Sequence, residues 1–221
     1  MLNYHFKMEN LSHVKNMITK ECYMASIDLT EAYHSVPVHE DHRRYLKIQW
    51  KGQLFHYCSL PFGLSTGPRI FTKILKPVLA RLRNEGHQSV AYLDDWYLRG
   101  IGPTSCANNV KHTCDLLQRV GFRINVKKSK LTPCRRIEFL GFIIDSTEMT
   151  VELPLKKRQT VVQACEAFAH TPAVVPIREV ARTIGVLVST FPAVPWGPLH
   201  FRSLEREKTQ ALIKNRVTTT V

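Results

Sequence analysis

The sequence predicts an α+β fold: an antiparallel sheet packed on helices, followed by a segment of helices alone. Three observations carry this. Two stretches read as strand pairs around turn signals, residues 45–50 with 53–58 across Lys51-Gly52, and residues 90–98 interrupted by Asp94-Asp95. Apolar residues recur at helical spacing through Ile70, Phe71, Ile74, Leu75, Val78, Leu79 and Leu82. Beyond Pro154 the strand-like stretches end and helical spacing continues alone, which divides the chain into a mixed domain, 1–153, and a helical one, 154–221.

Taken in order, residues 22–29 (CYMASIDL) read as a buried strand. The helix carrying Ile70 to Leu82 should kink at Pro77 and end at Gly86. Val110, Cys114 and Leu117 mark another helix, which Gly121 can cap. Residues 122–126 and 137–144 read as short strands, and 145–148 as a turn into a strand at 149–153. In the tail, Val161, Val162, Cys165, Phe168 and Ala169 share a helical face. Pro176 suits a helix start, followed by Val180, Ile184, Leu187 and Val188, and a basic helix covers 199–214.

Composition narrows the function. Hydrophobic residues are 44% and charged residues 22%, which excludes disordered and low-complexity classes and leaves enough apolar surface for a core. No apolar run approaches the ~20 residues of a membrane span, and the N-terminus has no apolar signal region. It begins without a linker, as if cut from a longer chain. Lysine and arginine number 31 against 18 acids, a net charge of +13 with a pI near 9.7, which favours a polyanionic partner, nucleic acid above all. No segment reads as a basic amphipathic anchor, so no membrane partner is expected. Six scattered cysteines without a CxxC fit a reduced intracellular compartment, cytoplasm or nucleus, rather than secretion. Cys106, His112 and Cys114 imitate half a zinc site but lack a second close pair, and are read as core or surface residues.

The chemistry is expected at carboxylates. Asp28 ends the apolar run MASI, and Asp94-Asp95 follows the apolar run VAYL. Acids are depleted from buried strands, and a desolvated carboxylate pair repels itself unless a cation or proton intervenes. Three aspartates at neighbouring strand ends would make a hard-oxygen cage suited to Mg²⁺. Two such ions stabilise the attacking and leaving oxygens of an in-line phosphoryl displacement. The plainer alternative is that Asp94-Asp95 only caps a hairpin.

These residues keep company that resembles a known family. Asp28-Leu29-Thr30-Glu31-Ala32-Tyr33 resembles motif A of reverse transcriptases, and Leu60-Pro61-Phe62-Gly63-Leu64-Ser65-Thr66-Gly67-Pro68 resembles motif B. Tyr92-Leu93-Asp94-Asp95 is similar to the YxDD of motif C, Gly121-Phe122 through Lys127-Lys128 to motif D, and Glu138-Phe139-Leu140-Gly141-Phe142 to the motif E primer grip. A lone YLDD is weak; five motifs in the family's order are specific. The LPFGL form and the HFKMENL lead-in resemble gypsy-like and DIRS-like retrotransposon enzymes, and FPAVPWGPLHFR resembles the DIRS-like group.

The resemblance implies a right-hand polymerase palm with a partial fingers region over 1–153, and a thumb-like bundle over 154–221. It implies RNA-directed DNA synthesis with two Mg²⁺ ions, Mn²⁺ being a substitute. Asp28 and Asp94 would be the strict metal ligands and Asp95 the more peripheral one. Tyr33 matches the sugar gate, a ring that leaves no room for a 2′-hydroxyl; alternatively it is a buried tyrosine with its hydroxyl bonded. Leu29, Ala32, Phe62, Gly63 and Tyr92 complete the implied nucleotide site. Phe62 departs from the glutamine of retroviral enzymes and offers packing without amide hydrogen bonds. Gly63 and Pro68 also read as loop-to-helix punctuation.

Lys128 matches a general acid for pyrophosphate, or belongs to a solvated basic run. Phe139, Leu140 and Gly141 match the grip on the primer end, with Pro68 beside the template strand; a core strand suits the same three residues. Arg81, Arg83, Lys111, Arg119, Arg123, Arg135, Arg136, Lys156, Lys157 and Arg158 are available for phosphates.

The implied partners are an RNA template, an RNA/DNA hybrid, deoxynucleoside triphosphates and further polyprotein domains such as ribonuclease H. Lys7, Lys15 and Lys20 precede Asp28 without forming a recognisable triphosphate clamp, so the isolated chain is expected to extend primers poorly. Two rivals stand beside the polymerase: a catalytically incomplete nucleic-acid-binding fragment of such an element, and a two-metal nuclease, for which the extra acidic ligands are lacking.

Overall fold

The computed structural model describes residues 6–170 and 175–218, with the side chains of 215–218 left aside. His5, in the HFKMENL lead-in, lies outside the described residues. The chain divides into two compact units, one running to Leu140 and including Asp145–Thr150, the other formed by Gly141–Ile144 and the chain from Val151.

The first unit opens with α1 (Leu11–Met17), a helix not expected from the sequence, whose Asn10 cap accepts the backbone N–H of Ser12. It is built round β1 (Tyr23–Thr30). After a 3-10 turn at Tyr33–Ser35 come α2 (Glu40–Arg43) and the hairpin of β2 (Lys47–Trp50) and β3 (Gln53–His56). That hairpin turns on Lys51 and Gly52, both at positive φ, as the Lys-Gly pair implied, and both its strands are exposed throughout. Next come α3 (Gly67–Asn84), β4 (Gln88–Tyr92), β5 (Asp95–Gly100) and α4 (Pro103–Arg119). The short strands β6 (Arg123–Ile124), β7 (Lys130–Cys134) and β8 (Arg136–Phe139) complete it.

The main sheet has the order β4-β5-β1-β6, with β7 also paired to β1, and the pairings of β1 and β5 are antiparallel. Alternation along β1 decides which face is which. Ala25, Ile27 and Leu29 enter the core with Phe71, Leu75, Val78, Leu79 and Leu82 of α3 and Cys106, Val110, Leu116 and Leu117 of α4. Asp28 therefore belongs to the opposite face, at the strand's end. The helix α3 runs unbroken through Pro77 and stops where Gly86 takes φ +83°, with His87 N–H donating to the Leu82 carbonyl at 2.9 Å.

Several sequence expectations change in detail. The run 137–144 is two strands, because Leu140 and Gly141 both take positive φ and turn the chain between β8 and β9 (Phe142–Asp145). The strand expected at 122–126 shortens to β6: the Asn125 N–H still donates to the Asp28 carbonyl at 2.8 Å, but the chain then turns, with the Asn125 carbonyl accepting the N–H groups of Lys128 at 3.2 Å and Ser129 at 2.9 Å. β7 had no sequence signal: it contains Pro133 and takes its form from pairing with Met24 and Ser26.

The second unit contains β9 as far as Ile144 and β10 (Thr150–Glu152) from Val151, then α5 (Leu155–Ala169), α6 (Ile177–Val188), a 3-10 turn at Phe191–Ala193, α7 (Gly197–His200) and α8 (Arg202–Thr218). α6 buries Thr183 and Ile184. α5 buries none of its residues fully, and Val162, Cys165 and Ala169 of its expected apolar face are exposed. The basic helix expected at 199–214 is split at Phe201 into α7 and α8.

Candidate active site

The two strand ends that carry the aspartates are neighbours. In the β1–β5 register Asp28 stands directly opposite Asp95, and Tyr92 pairs Asp95 across the β4–β5 hairpin. Leu93 and Asp94 form the hairpin turn. Leu93 holds φ +56°, an unfavourable value for a branched residue, and the Leu29 N–H donates to the Asp94 carbonyl at 3.0 Å. The turn is thus tied to β1 beside Asp28.

All three aspartates are half-buried. Among the described residues they do not make a set whose carboxylate oxygens all lie within 4.8 Å of one another, a spacing that like-charge repulsion favours. Asp95 shows the strain. Burial, then Asp94, then Asp28 push its carboxyl up to about 6, partly offset by Lys128. A group of hard carboxylate oxygens that repel one another while partly desolvated fits a divalent cation of the Mg²⁺ type.

Lys128 reaches this field from a loop strapped onto β1. Ser129 Oγ accepts the Asp28 N–H at 3.0 Å and donates to the Asn125 carbonyl at 2.7 Å. Asn125 N–H donates to the Asp28 carbonyl at 2.8 Å, and Lys128 N–H donates to the Asn125 carbonyl at 3.2 Å. Sequence reasoning missed Asn125 and Ser129 as residues that fix Asp28. Ser129 lies in the KKSK stretch, which could have drawn attention to it; Asn125 precedes that stretch and carries no such signal.

One wall of the site is aromatic. Tyr33 is 7% exposed and stacks on Phe71 at 5.1 Å, with Phe62 tilted against it at 5.2 Å. Burial, then Asp94, then Tyr92 raise its phenol pKa, so its hydroxyl belongs to the aspartates' surroundings. A side chain at Gly67 would meet the Tyr33 ring at 3.0 Å, so glycine at the start of α3 lets the ring lie where it does without a shift of a few tenths of an ångström. Phe62 is 69% exposed, and Gly63 beside it takes φ +85°. Pro68 occupies the first turn of α3.

Other expected site residues lie elsewhere. Leu29 and Ala32 have buried side chains in the core, leaving only their backbone to a ligand. Phe139 is buried with its ring 5.6 Å from Tyr97, and Leu140 and Gly141 form the turn after it. Of the basic residues proposed for phosphates, Arg81, Arg83, Arg123, Arg135, Arg136 and Arg158 make ion pairs with Glu85, Glu9, Glu31, Glu21, Asp145 and Glu152. Lys157 donates to the Ser189 carbonyl at 3.0 Å.

Residues 3–144 match the family described as reverse transcriptase (RNA-dependent DNA polymerase). Protein P of duck hepatitis B virus (strain China) is 28% identical over 153 residues, covering 65% of this chain and 18% of that protein. The Pro-Pol polyprotein of simian foamy virus type 1 is 27% identical over 122 residues, covering 55% of this chain and 10% of that one. The chain thus spans less than a fifth of these relatives.

A foamy viral protease-reverse transcriptase solved in complex with double-stranded DNA superposes with a TM-score of 0.73 at 21% identity, covering 93% of this chain and 34% of that one. A foamy viral protease-reverse transcriptase in complex with an RNA/DNA hybrid gives 0.65 at 18% identity, over 93% of this chain and 29% of that one. The likeness shows the fold, the α+β palm of a right-hand polymerase.

Proposed function

The chain belongs to the reverse transcriptase (RNA-dependent DNA polymerase) family, and from that premise we propose that it copies RNA, and DNA, into DNA by two-metal-ion nucleotidyl transfer. The observation that carries the reading is the register that sets Asp28 opposite Asp95 with Asp94 in the adjoining turn. Asp28 and Asp94 hold the ions and Asp95 lies at their periphery. When bound, two Mg²⁺ ions, or Mn²⁺ in their place, activate the primer hydroxyl and neutralise charge on the departing pyrophosphate. The remaining work is positioning and proton supply by the protein.

Lys128, whose charge already reaches Asp95, donates a proton toward the leaving pyrophosphate. Tyr33, wedged between Phe71 and Phe62, presents a fixed ring that excludes a 2′-hydroxyl. Phe62 packs on the incoming nucleotide through an exposed face, with Gly63 and Tyr92 beside it and the backbone of Leu29 and Ala32 beneath. Phe139, Leu140 and Gly141 support the primer end, and Pro68 the template.

The wider assignments are proposals of the same kind. Residues 1–153 serve as palm with partial fingers, and 154–221 as a thumb-like bundle. The parent is a retrotransposon polyprotein of the gypsy-like or DIRS-like group, working inside cells with domains such as ribonuclease H; the LPFGL and FPAVPWGPLHFR stretches support this. The partners are RNA template, hybrid duplex and deoxynucleoside triphosphates. The solved relatives bound to double-stranded DNA and to RNA/DNA hybrid support them.

Product length tests the proposal. A primed RNA template is incubated with the chain, Mg²⁺ and the four deoxynucleotides. A lengthened primer supports the polymerase; a shortened one means a nuclease; an unchanged primer with the hybrid still bound means a binding fragment.

A further inference from the structure

We propose that Glu85, His87 and His112 form a binding site for a divalent transition-metal ion of the zinc class, separate from the aspartates and independent of the proposed polymerase activity. Ligand atoms of these three residues all lie within 4.8 Å of one another, and they are the one such set of His, Cys, Asp or Glu among the described residues. Two elements bring them together. Glu85 caps the end of α3, Gly86 turns the chain at φ +83°, and His87 follows at once. His112 comes from α4, where the imidazoles of His87 and His112 face each other with centroids 4.6 Å apart.

The approach is fixed by buried hydrogen bonds rather than by the exposed residues themselves. Asn109, one turn before His112, is 1% exposed, and its amide donates to the carbonyls of Gln88 at 2.8 Å and Arg99 at 2.9 Å. Thr113 Oγ donates to the Asn109 side-chain oxygen at 3.1 Å and holds that amide in its orientation. The helix α4 is therefore pinned to the residue next to His87. Arg81 Nε donates to Glu85 Oε1 at 3.0 Å, an outer hydrogen bond of the kind that orients a ligating carboxylate. Asp115 lines the same groove as Glu85 and His112 but is not one of the set within 4.8 Å.

Two imidazoles and a carboxylate select a borderline-soft ion such as Zn²⁺ or Co²⁺, with water completing a tetrahedron, and disfavour Mg²⁺. The site abuts the first residue of β4, while Asp94 and Asp95 follow its last. At ~3.3 Å of rise per residue, that strand keeps the two sites ~15 Å apart. An ion here ties the end of α3 to α4. Cys106 and Cys114, which flank His112 in sequence, belong elsewhere: Cys106 is fully buried and Cys114 packs half-buried against the core.

The test is calorimetric titration of zinc chloride into the chelator-stripped 221-residue chain under reducing conditions, with Co²⁺ absorption as a second readout. The expected result is one ion per chain, a raised unfolding temperature, and a tetrahedral Co²⁺ spectrum. His87→Ala and His112→Ala should each weaken binding about tenfold or more, while Cys114→Ser leaves it unchanged. Neither histidine is buried, so circular dichroism of the metal-free variants should match the parent, and Glu85→Gln gives a third variant with little change in shape. No Zn²⁺ uptake by the parent overturns the proposal. So does uptake that survives both histidine substitutions, or uptake lost in Cys114→Ser.

Discussion

Asp28 and Asp95 face each other across the β1–β5 ladder, an arrangement that destabilises a sheet unless something offsets the repulsion. The residues that carry this cluster were legible in the sequence because each aspartate ends an apolar run. The residues that fix it were not: Ser129 and Asn125 act through backbone hydrogen bonds that no spacing encodes. His87 escaped for a similar reason. Its partners Glu85 and His112 come from two helices, whereas the cysteines nearest His112 in sequence turn away from it.

Two further side chains, Tyr97 and Asp145, bear on stability. Tyr97 is fully buried, and its hydroxyl has no hydrogen-bond partner among the described residues. Tyr97→Phe should therefore be neutral or stabilising by about 1 kcal/mol, read by urea denaturation. Asp145 accepts from Arg136 at 3.0 Å, and this bond first, helped by the N–H groups of Glu148 and Thr147, holds its carboxyl below the ordinary range despite burial. Stability from this group is present above the ordinary carboxylate pKa of about 4 and is lost as pH falls through the lowered folded value. Asp145→Asn should melt about 2–4 °C lower at neutral pH, with the gap closing under acid conditions. A gap that widens as pH falls would contradict this.

Elements were legible where periodicity and turn chemistry agreed. β1, α3 and the Lys51-Gly52 hairpin follow from alternation, from a helical apolar stripe and from a turn pair at positive φ. The exceptions are local. Leu140-Gly141 turns a run that reads as one strand, and Leu93 takes a left-handed conformation without being glycine, held by the hairpin and by the Leu29 bond to Asp94. β7 exists only because β1 offers it an edge. The end of β5 passes so close to α4 that a side chain at Gly100 would meet the Cys106 backbone nitrogen at 2.2 Å. Backbone cannot yield as a flexible side chain does. Gly100→Ala should cost about 1–3 kcal/mol, lowering the urea midpoint without changing its slope. An unchanged midpoint would mean that α4 packs more loosely than described.

Across the whole molecule, the charge of +13 favours a polyanionic partner but does not say which cations would meet it. Six of the arginines offered for phosphates are held in ion pairs within the chain. Binding to hybrid duplex should still be salt-dependent and indifferent to sequence. Its affinity should fall about 10³-fold between 50 and 200 mM salt if some six phosphates are neutralised; an affinity flat with salt would contradict a phosphate-based grip.

If Asp28, Asp94 and Asp95 together make the proposed site of nucleotidyl transfer, a single amide among them should stop incorporation without loosening the grip on the hybrid. The decisive experiment is single-turnover incorporation of one deoxynucleotide on a primed RNA template, compared between the parent and Asp94→Asn with hybrid affinity measured in parallel. The variant's rate should be lower by about 10²-fold or more, with hybrid affinity essentially unchanged. Incorporation at the parental rate in Asp94→Asn would contradict the proposed site.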